Sequence, residues 1–250
     1  VSTTTPSEFQ VRVPRSSFDA YFPWLQDAEY RLLKQVIVDM LAPVAEPADK
    51  LLDVACWDGE ATRFYGRQLG ITDLHGVDYT QVAEARDRGV QVLEADLEQG
   101  AFPYEDDTFD VVIANQIFEH LKQIYRPLSE IHRILKPGGH LLFSVPNLAA
   151  LHCRVQLALG IQPSTIQLFE AHVRGFTHRT MQAFLTHNGL FAIENWRGSG
   201  LYPLPPSLSQ RLSRPLRSIS VYQLYLLRKT DVEAPDWQAE VLRRGVQSNF

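Results

Sequence analysis

Four short apolar runs between residues 51 and 115 each end in side chains able to do chemistry. The first leads into Asp53-Val54-Ala55-Cys56-Trp57-Asp58-Gly59, the second into Asp78-Tyr79, and the third into Ala95-Asp96-Leu97. The fourth leads into Asn115-Gln116, with Glu119-His120 close behind. A carboxylate placed like Asp78 can accept hydrogen bonds from both hydroxyls of a ribose. Asp96 can accept from an exocyclic adenine amine while the Leu97 backbone N–H reaches a ring nitrogen. Together they outline a nucleoside pocket.

What the nucleoside carries is decided by the first loop. A dinucleotide site needs G-x-G-x-x-G, so that backbone can approach a pyrophosphate at a helix N-terminus. Here Trp57 puts bulk in that turn, and Asp53 and Asp58 would repel phosphates. The same carboxylates favour a cationic amino group and a sulfonium, so S-adenosylmethionine fits and a nicotinamide dinucleotide does not. Methyl transfer from a sulfonium is an in-line displacement that chiefly requires alignment and exclusion of water. A hydroxyl acceptor also needs a base, and His120, with Glu119 beside it, is the candidate.

Each of these residues has a plainer reading. Isolated aspartates most often cap helices or close turns, and His120 could simply line the cleft. His152, His172 and His178 are spread through the later chain without metal-ligand spacing, so no metal is expected. His152 and His172 could face substrate. Arg211, Arg214 and Arg217 could form a solvated face or meet an anionic or carrier-bound acceptor.

These positions must be held by alternating strands and helices. Strands are expected at Leu51 to Ala55, Leu74 to Asp78, Val90 to Glu94, Phe109 to Asn115, Gly139 to Val145, Leu190 to Trp196 and Ser220 to Arg228. Helices are expected at Asp27 to Met40, Ala61 to Leu69, Thr80 to Arg88, Glu119 to Leu135 and Arg179 to His187. Two stretches, Ala149 to Gly175 and Gly198 to Ser218, break the rhythm, as functional insertions do. One domain results: a helical cap over 1–48, a cofactor-binding core over 49–147, a substrate-side insertion over 148–177, the rest of the sheet over 178–230 and a tail over 231–250.

Composition narrows the partners. The 250 residues carry a formal net charge of -5, which disfavours nucleic acid and points to a small-molecule acceptor. Two cysteines, Cys56 and Cys153, make neither a disulfide framework nor a metal motif. The stretch VSTTTPSEFQVRVP lacks the layout of a secretion signal, and no apolar run reaches the roughly 18 residues of a membrane span. A cytoplasmic protein is expected; no oligomeric state follows from the sequence.

In order along the chain, Leu51 to Gly59, Gly76-Val77-Asp78, Glu94-Ala95-Asp96, Phe109-Asp110-Val111-Val112, Glu119-His120-Leu121 and Ile134-Leu135-Lys136-Pro137-Gly138-Gly139 resemble the class I S-adenosylmethionine-dependent methyltransferases, type 11-like. The resemblance covers Leu51 to Asn147 closely. It implies an α/β fold with a Rossmann-like, seven-stranded, mostly parallel sheet sandwiched by helices, the last strand antiparallel and a helical insertion after the fifth. It further implies that Asp53 and the loop Ala55, Cys56, Trp57 and Gly59 hold the methionine end, Asp78 and Tyr79 the ribose, and Asp96 and Leu97 the adenine. Asn115, Gln116 and His120 would lie beside the sulfonium, and the product would be S-adenosylhomocysteine.

The first loop departs from the family pattern, because Ala55 and Trp57 stand where glycines are usual. Tryptophan should fit only with a negative φ and its ring turned out of the cleft. Ser144-Val145-Pro146-Asn147 and His172-Val173-Arg174-Gly175-Phe176-Thr177 are similar to methyltransferases of polysaccharide and secondary-metabolite assembly. That similarity implies O-methylation of a sugar or natural product, with a nitrogen acceptor as the other option. The alternative is a catalytically inactive cofactor-binding regulatory or scaffold protein.

Overall fold

The computed structural model describes residues 23–167 and 171–233. The expected cap residues 1–22 and tail residues 234–250 lie outside the described residues. The chain opens with helix α1 (Pro23–Leu41) and continues through β1 (Lys50–Val54), α2 (Glu60–Leu69), β2 (Asp73–Asp78), α3 (Val82–Asp87), β3 (Gln91–Glu94) and β4 (Phe109–Asn115). Then follow α4 (Tyr125–Ile134), β5 (Leu135–Pro146), α5 (Leu151–Ala158), α6 (His178–Leu185), β6 (Phe191–Ser199), α7 (Pro206–Ser213) and β7 (Tyr222–Lys229).

The strands form a seven-stranded sheet in the order β3-β2-β1-β4-β5-β7-β6, with only β7 running against the others. The order reverses between β1 and β4, so a crevice opens beyond their carboxyl ends, where α/β sheets hold ligands. Alternation along β4 sets the two layers. Val111 and Ile113 pack with Leu33, Ile37 and Leu41 of α1 and Tyr65 of α2. Val112 and Ala114 pack on the other face with Leu128 and Ile131 of α4 and Leu185 of α6. Each such buried leucine or isoleucine contributes roughly 1.5–3 kcal/mol, so the sheet is anchored by residues that take no part in the crevice.

Three expected boundaries move for identifiable reasons. The helix expected at Glu119 starts instead at Tyr125, and Glu119 and His120 sit in a 3-10 turn, Phe118–His120. Pro127 cannot donate an N–H to the carbonyl of Gln123, so an α-helix cannot run through it from Glu119. β5 begins at Leu135 rather than Gly139, with a register shift opposite Phe109 to Val111. Gly139 is obligatory there, because a Cβ would lie 2.9 Å from Lys136 O and 3.0 Å from Asp110 O. α3 starts only at Val82, after Gln81 takes φ +47.

Candidate functional site

A cavity of about 1040 Å³ lies at the switch point. Asp53, Ala55, Cys56, Trp57, Asp78, Tyr79, Asp96, Leu97, Asn115, Gln116 and His120 all line it. Two expected residues do not. Gly59 turns the chain into α2 with φ +75 and is packed so closely on Ala85 and Val90 that a Cβ would come within 3.1 Å of both. Glu119 lies buried behind the wall, 1% exposed.

Asp53, at the end of β1, is buried and accepts a 2.6 Å hydrogen bond from Thr62 Oγ1 of α2. Burial raises its pKa to about 7; Thr62 opposes that rise and the nearby Asp78 carboxylate adds to it. The other titratable groups around it, Tyr30, Tyr65 and Cys56, are all pushed upward themselves. A cationic ligand at Asp53 binds the ionised form, so its affinity should rise as pH increases through the free-site pKa and level off above it. Calorimetry is expected to show S-adenosylmethionine binding strengthened by about tenfold from pH 6 to 8, and Asp53→Asn should flatten that dependence.

Asp78 is the most heavily used acceptor in the site. Its Oδ1 takes hydrogen bonds from the backbone N–H of Tyr79 (2.7 Å) and Thr80 (2.8 Å) and from Thr80 Oγ1 (2.9 Å). Its Oδ2 takes the Trp57 N–H at 2.8 Å. A carboxylate offers about four lone-pair sites, so Oδ2 keeps one acceptor position toward the cavity. The capping role and the ligand role therefore coexist in one side chain. Asp96 is similar: it accepts from Glu98 N and Gln99 Nε2, both at 2.9 Å, through different oxygens, while Leu97 beside it is buried.

The loop accommodates its missing glycines differently from expectation. Ala55 and Trp57 both take positive φ, +61 and +45, rather than the negative φ anticipated for tryptophan. The Trp57 N–H bond to Asp78 holds this left-handed turn in place, and Trp57, 61% exposed, still lines the cavity. A non-glycine residue held at such a φ costs about 1–3 kcal/mol. Trp57→Gly should therefore raise Tm by about 2–4 °C in a thermal melt. A lower Tm would show that the indole stabilises the loop.

Residues the sequence did not single out complete the wall. Tyr30, Arg31 and Lys34 of α1 face the cavity, and Lys34 Nζ pairs with Glu60 Oε1 at 3.2 Å. The helical period of α1 announced a packed face; nothing in it announced which polar residues would border a cavity. At the floor, Ser144 Oγ donates to Asn115 Oδ1 at 2.6 Å and accepts from Gln116 Nε2 at 3.1 Å. This chain fixes both amides at the end of β4.

Beyond β4 the insertion folds back onto the 3-10 turn. Glu119 O accepts the N–H groups of Val173 and Arg174 at 2.8 and 3.2 Å, and the Arg174 guanidinium caps the carbonyls of Leu121 and Lys122. This places the His172 ring 4.7 Å from that of His120. One ligand atom from each of Glu119, His120 and His172 lies within 4.8 Å of the other two. Burial raises the Glu119 pKa to about 8, while burial and then His172 lower that of His120. The expectation of no metal came from spacing along the chain; the fold supplies a nearness that spacing does not contain.

The remaining histidines separate. His178 stacks on Trp196 at 3.7 Å and bonds the Tyr225 hydroxyl at 3.0 Å, a packing role. His152 lines a second cavity of about 450 Å³ with Leu151, Val155, Leu159 and Ile161. Of the basic set, Arg217 lies over the Trp196 ring at 4.2 Å. No helix among the described residues is long and apolar enough to cross a membrane.

Residues 52–143 match the family model described as a methyltransferase domain. The 2-phytyl-1,4-naphtoquinone methyltransferase of Nostoc punctiforme is 29% identical over 133 residues, covering 49% of this chain and 56% of that protein. A ubiquinone/menaquinone biosynthesis C-methyltransferase of Cereibacter sphaeroides is 32% identical over 136 residues, covering 51% of this chain and 53% of that protein. The chain thus spans about half the length of the curated relatives it matches. Among solved structures, an S-adenosylmethionine-dependent methyltransferase from Mesorhizobium loti superposes with a TM-score of 0.54 at 22% identity, over 81% of this chain and 98% of that one.

Proposed function

We propose that the protein transfers a methyl group from S-adenosylmethionine to an oxygen of a small molecule, because residues 52–143 match the methyltransferase-domain model and the sheet shares the fold of an S-adenosylmethionine-dependent methyltransferase. Asp53 receives the methionine ammonium, Asp78 a ribose hydroxyl, and Asp96 with the Leu97 N–H the adenine. Asn115 and Gln116 border the sulfonium, and the insertion after β5 forms the acceptor side. Cys56 and Cys153 are both free and buried, which suits a reducing compartment such as the cytosol.

The observation that carries an oxygen acceptor is His120 on the cleft wall, with Glu119 and His172 grouped behind and beside it. A hydroxyl must lose its proton as the methyl group arrives, whereas an amine that is already neutral needs no base. His120 is kept in its neutral, proton-accepting form by burial, and Glu119 stands directly behind it.

A second reading is carbon methylation of a quinol-like ring. It draws on the names of the quinone methyltransferase relatives and on the apolar groove along α5, whose Leu151, Val155 and Leu159 could cover a hydrocarbon tail. Incubation with carbon-13 methyl-labelled S-adenosylmethionine and a panel of hydroxylated, amino and quinol acceptors separates the options. A methoxyl product supports the first reading and a ring-carbon methyl the second. Cofactor binding with no transfer to any acceptor would leave the regulatory or scaffold alternative.

A further inference from the structure

We propose that Glu119, His120 and His172 form a binding site for one first-row divalent transition-metal ion, which holds the acceptor's hydroxyl oxygen against the methyl group of the cofactor. Nearness is the first argument, since the three ligand atoms already lie within 4.8 Å of one another. Ligand atoms on a zinc-like ion sit roughly 3–4 Å apart, so closing by about an ångström suffices.

The hydrogen bonds behind the rings point the same way. His120 Nδ1 lies 3.3 Å from Ala171 O and His172 Nδ1 lies 3.0 Å from Thr165 O. A carbonyl oxygen only accepts, so Nδ1 carries the proton in each ring and the Nε2 lone pairs remain for a ligand. Histidines that bind metals are oriented by this kind of outer hydrogen bond. The carboxylate supplies an independent sign: Glu119 is 1% exposed, yet its Oε2 has no hydrogen-bond partner. A buried acceptor left bare is unfavourable, and a cation would satisfy it. His172 is held in place by the backbone bonds that tie Val173 and Arg174 to Glu119 O.

Two imidazoles and one carboxylate are a donor set for zinc, iron, cobalt or nickel rather than for magnesium or calcium. Three protein ligands leave coordination positions open, which suits an acceptor with a hydroxyl and a second oxygen on a neighbouring carbon. Coordination lowers the proton affinity of that hydroxyl. The acceptor's proton passes to water and the new C–O bond forms as the C–S bond breaks. The sulfonium leaves as a neutral thioether, and the ion is unchanged. This role rests on the oxygen-acceptor reading; ion binding itself does not.

The test uses chelator-treated protein titrated with Co²⁺, followed by calorimetry and by the visible absorption of the bound ion. One ion per chain at micromolar affinity is expected. His172→Ala should weaken it at least about 100-fold and His172→Asp, which keeps a ligand, by no more than about tenfold. Unchanged S-adenosylhomocysteine binding would show that both variants are folded. No Co²⁺ binding by the wild type at about 1 mM, or equal binding by His172→Ala, overturns the site. Equal methylation of a hydroxyl acceptor by stripped and Co²⁺-loaded protein overturns the ion's role in catalysis. Failure of the wild type to bind S-adenosylhomocysteine while it binds Co²⁺ would instead defeat the methyltransferase reading.

Discussion

Asp78→Ala is expected to weaken S-adenosylhomocysteine binding by about 10- to 100-fold, because a hydrogen bond to a charged acceptor is worth roughly 1.5–3 kcal/mol and the ribose loses the one acceptor position left on Oδ2. The loss extends beyond direct contact. The backbone N–H groups of Trp57, Tyr79 and Thr80 all end on this carboxylate. Without it, the left-handed turn at Trp57, with φ +45, loses the bond that holds it. Tm should fall as well, and Asp78→Asn should retain part of both properties, since its amide oxygen still accepts. Calorimetry and a thermal melt measure the two effects; an alanine variant that binds as the wild type does would remove Asp78 from the site.

The second large effect is expected in the rate. His120→Ala should lower kcat by about 10²–10⁴-fold, whether its Nε2 takes the acceptor's proton directly or holds the ion that makes that proton easier to lose. KM for S-adenosylmethionine should change little, because the contacts proposed for the cofactor lie on Asp53, Asp78 and Asp96. Glu119→Gln keeps the shape and removes the ionisable oxygen that has no partner, and should lower kcat with the same small effect on KM. Initial rates at varied cofactor concentration make the separation. A rise in KM with kcat unchanged would mean that His120 only packs against the cofactor.

The side of the cleft proposed to take the cofactor was legible in the sequence as a cavity lining because it is local. Asp53, Asp78, Asp96 and Asn115 each lie at or just after the end of an apolar run, and a parallel sheet must bring such ends to one edge. Short β-branched runs likewise marked the strands: β4 spans Phe109–Asn115, the stretch expected from its Val111-Val112-Ile113 core.

The grouping of Glu119, His120 and His172 was illegible because it depends on contacts that no short-range pattern encodes. Pro127 moved the start of α4 and left Glu119 and His120 in a 3-10 turn. Arg174 then fastened the insertion to that turn and delivered His172 beside His120. Likewise Tyr30, Arg31 and Lys34 reach the cavity only through the packing of α1 on α2. The backbone at Trp57 was misjudged from side-chain bulk alone. A positive φ constrains Cβ rather than the indole, and the Asp78 hydrogen bond sets the balance.

The cleft is expected to take a sulfonium nucleoside and not a dinucleotide. This preference is tested most directly by titrating the purified protein with S-adenosylhomocysteine and, separately, with NAD in a calorimeter. Micromolar binding of S-adenosylhomocysteine and none of NAD is expected. No heat from S-adenosylhomocysteine at about 1 mM, where any ligand of the native state should register, or preferential binding of NAD, would contradict it.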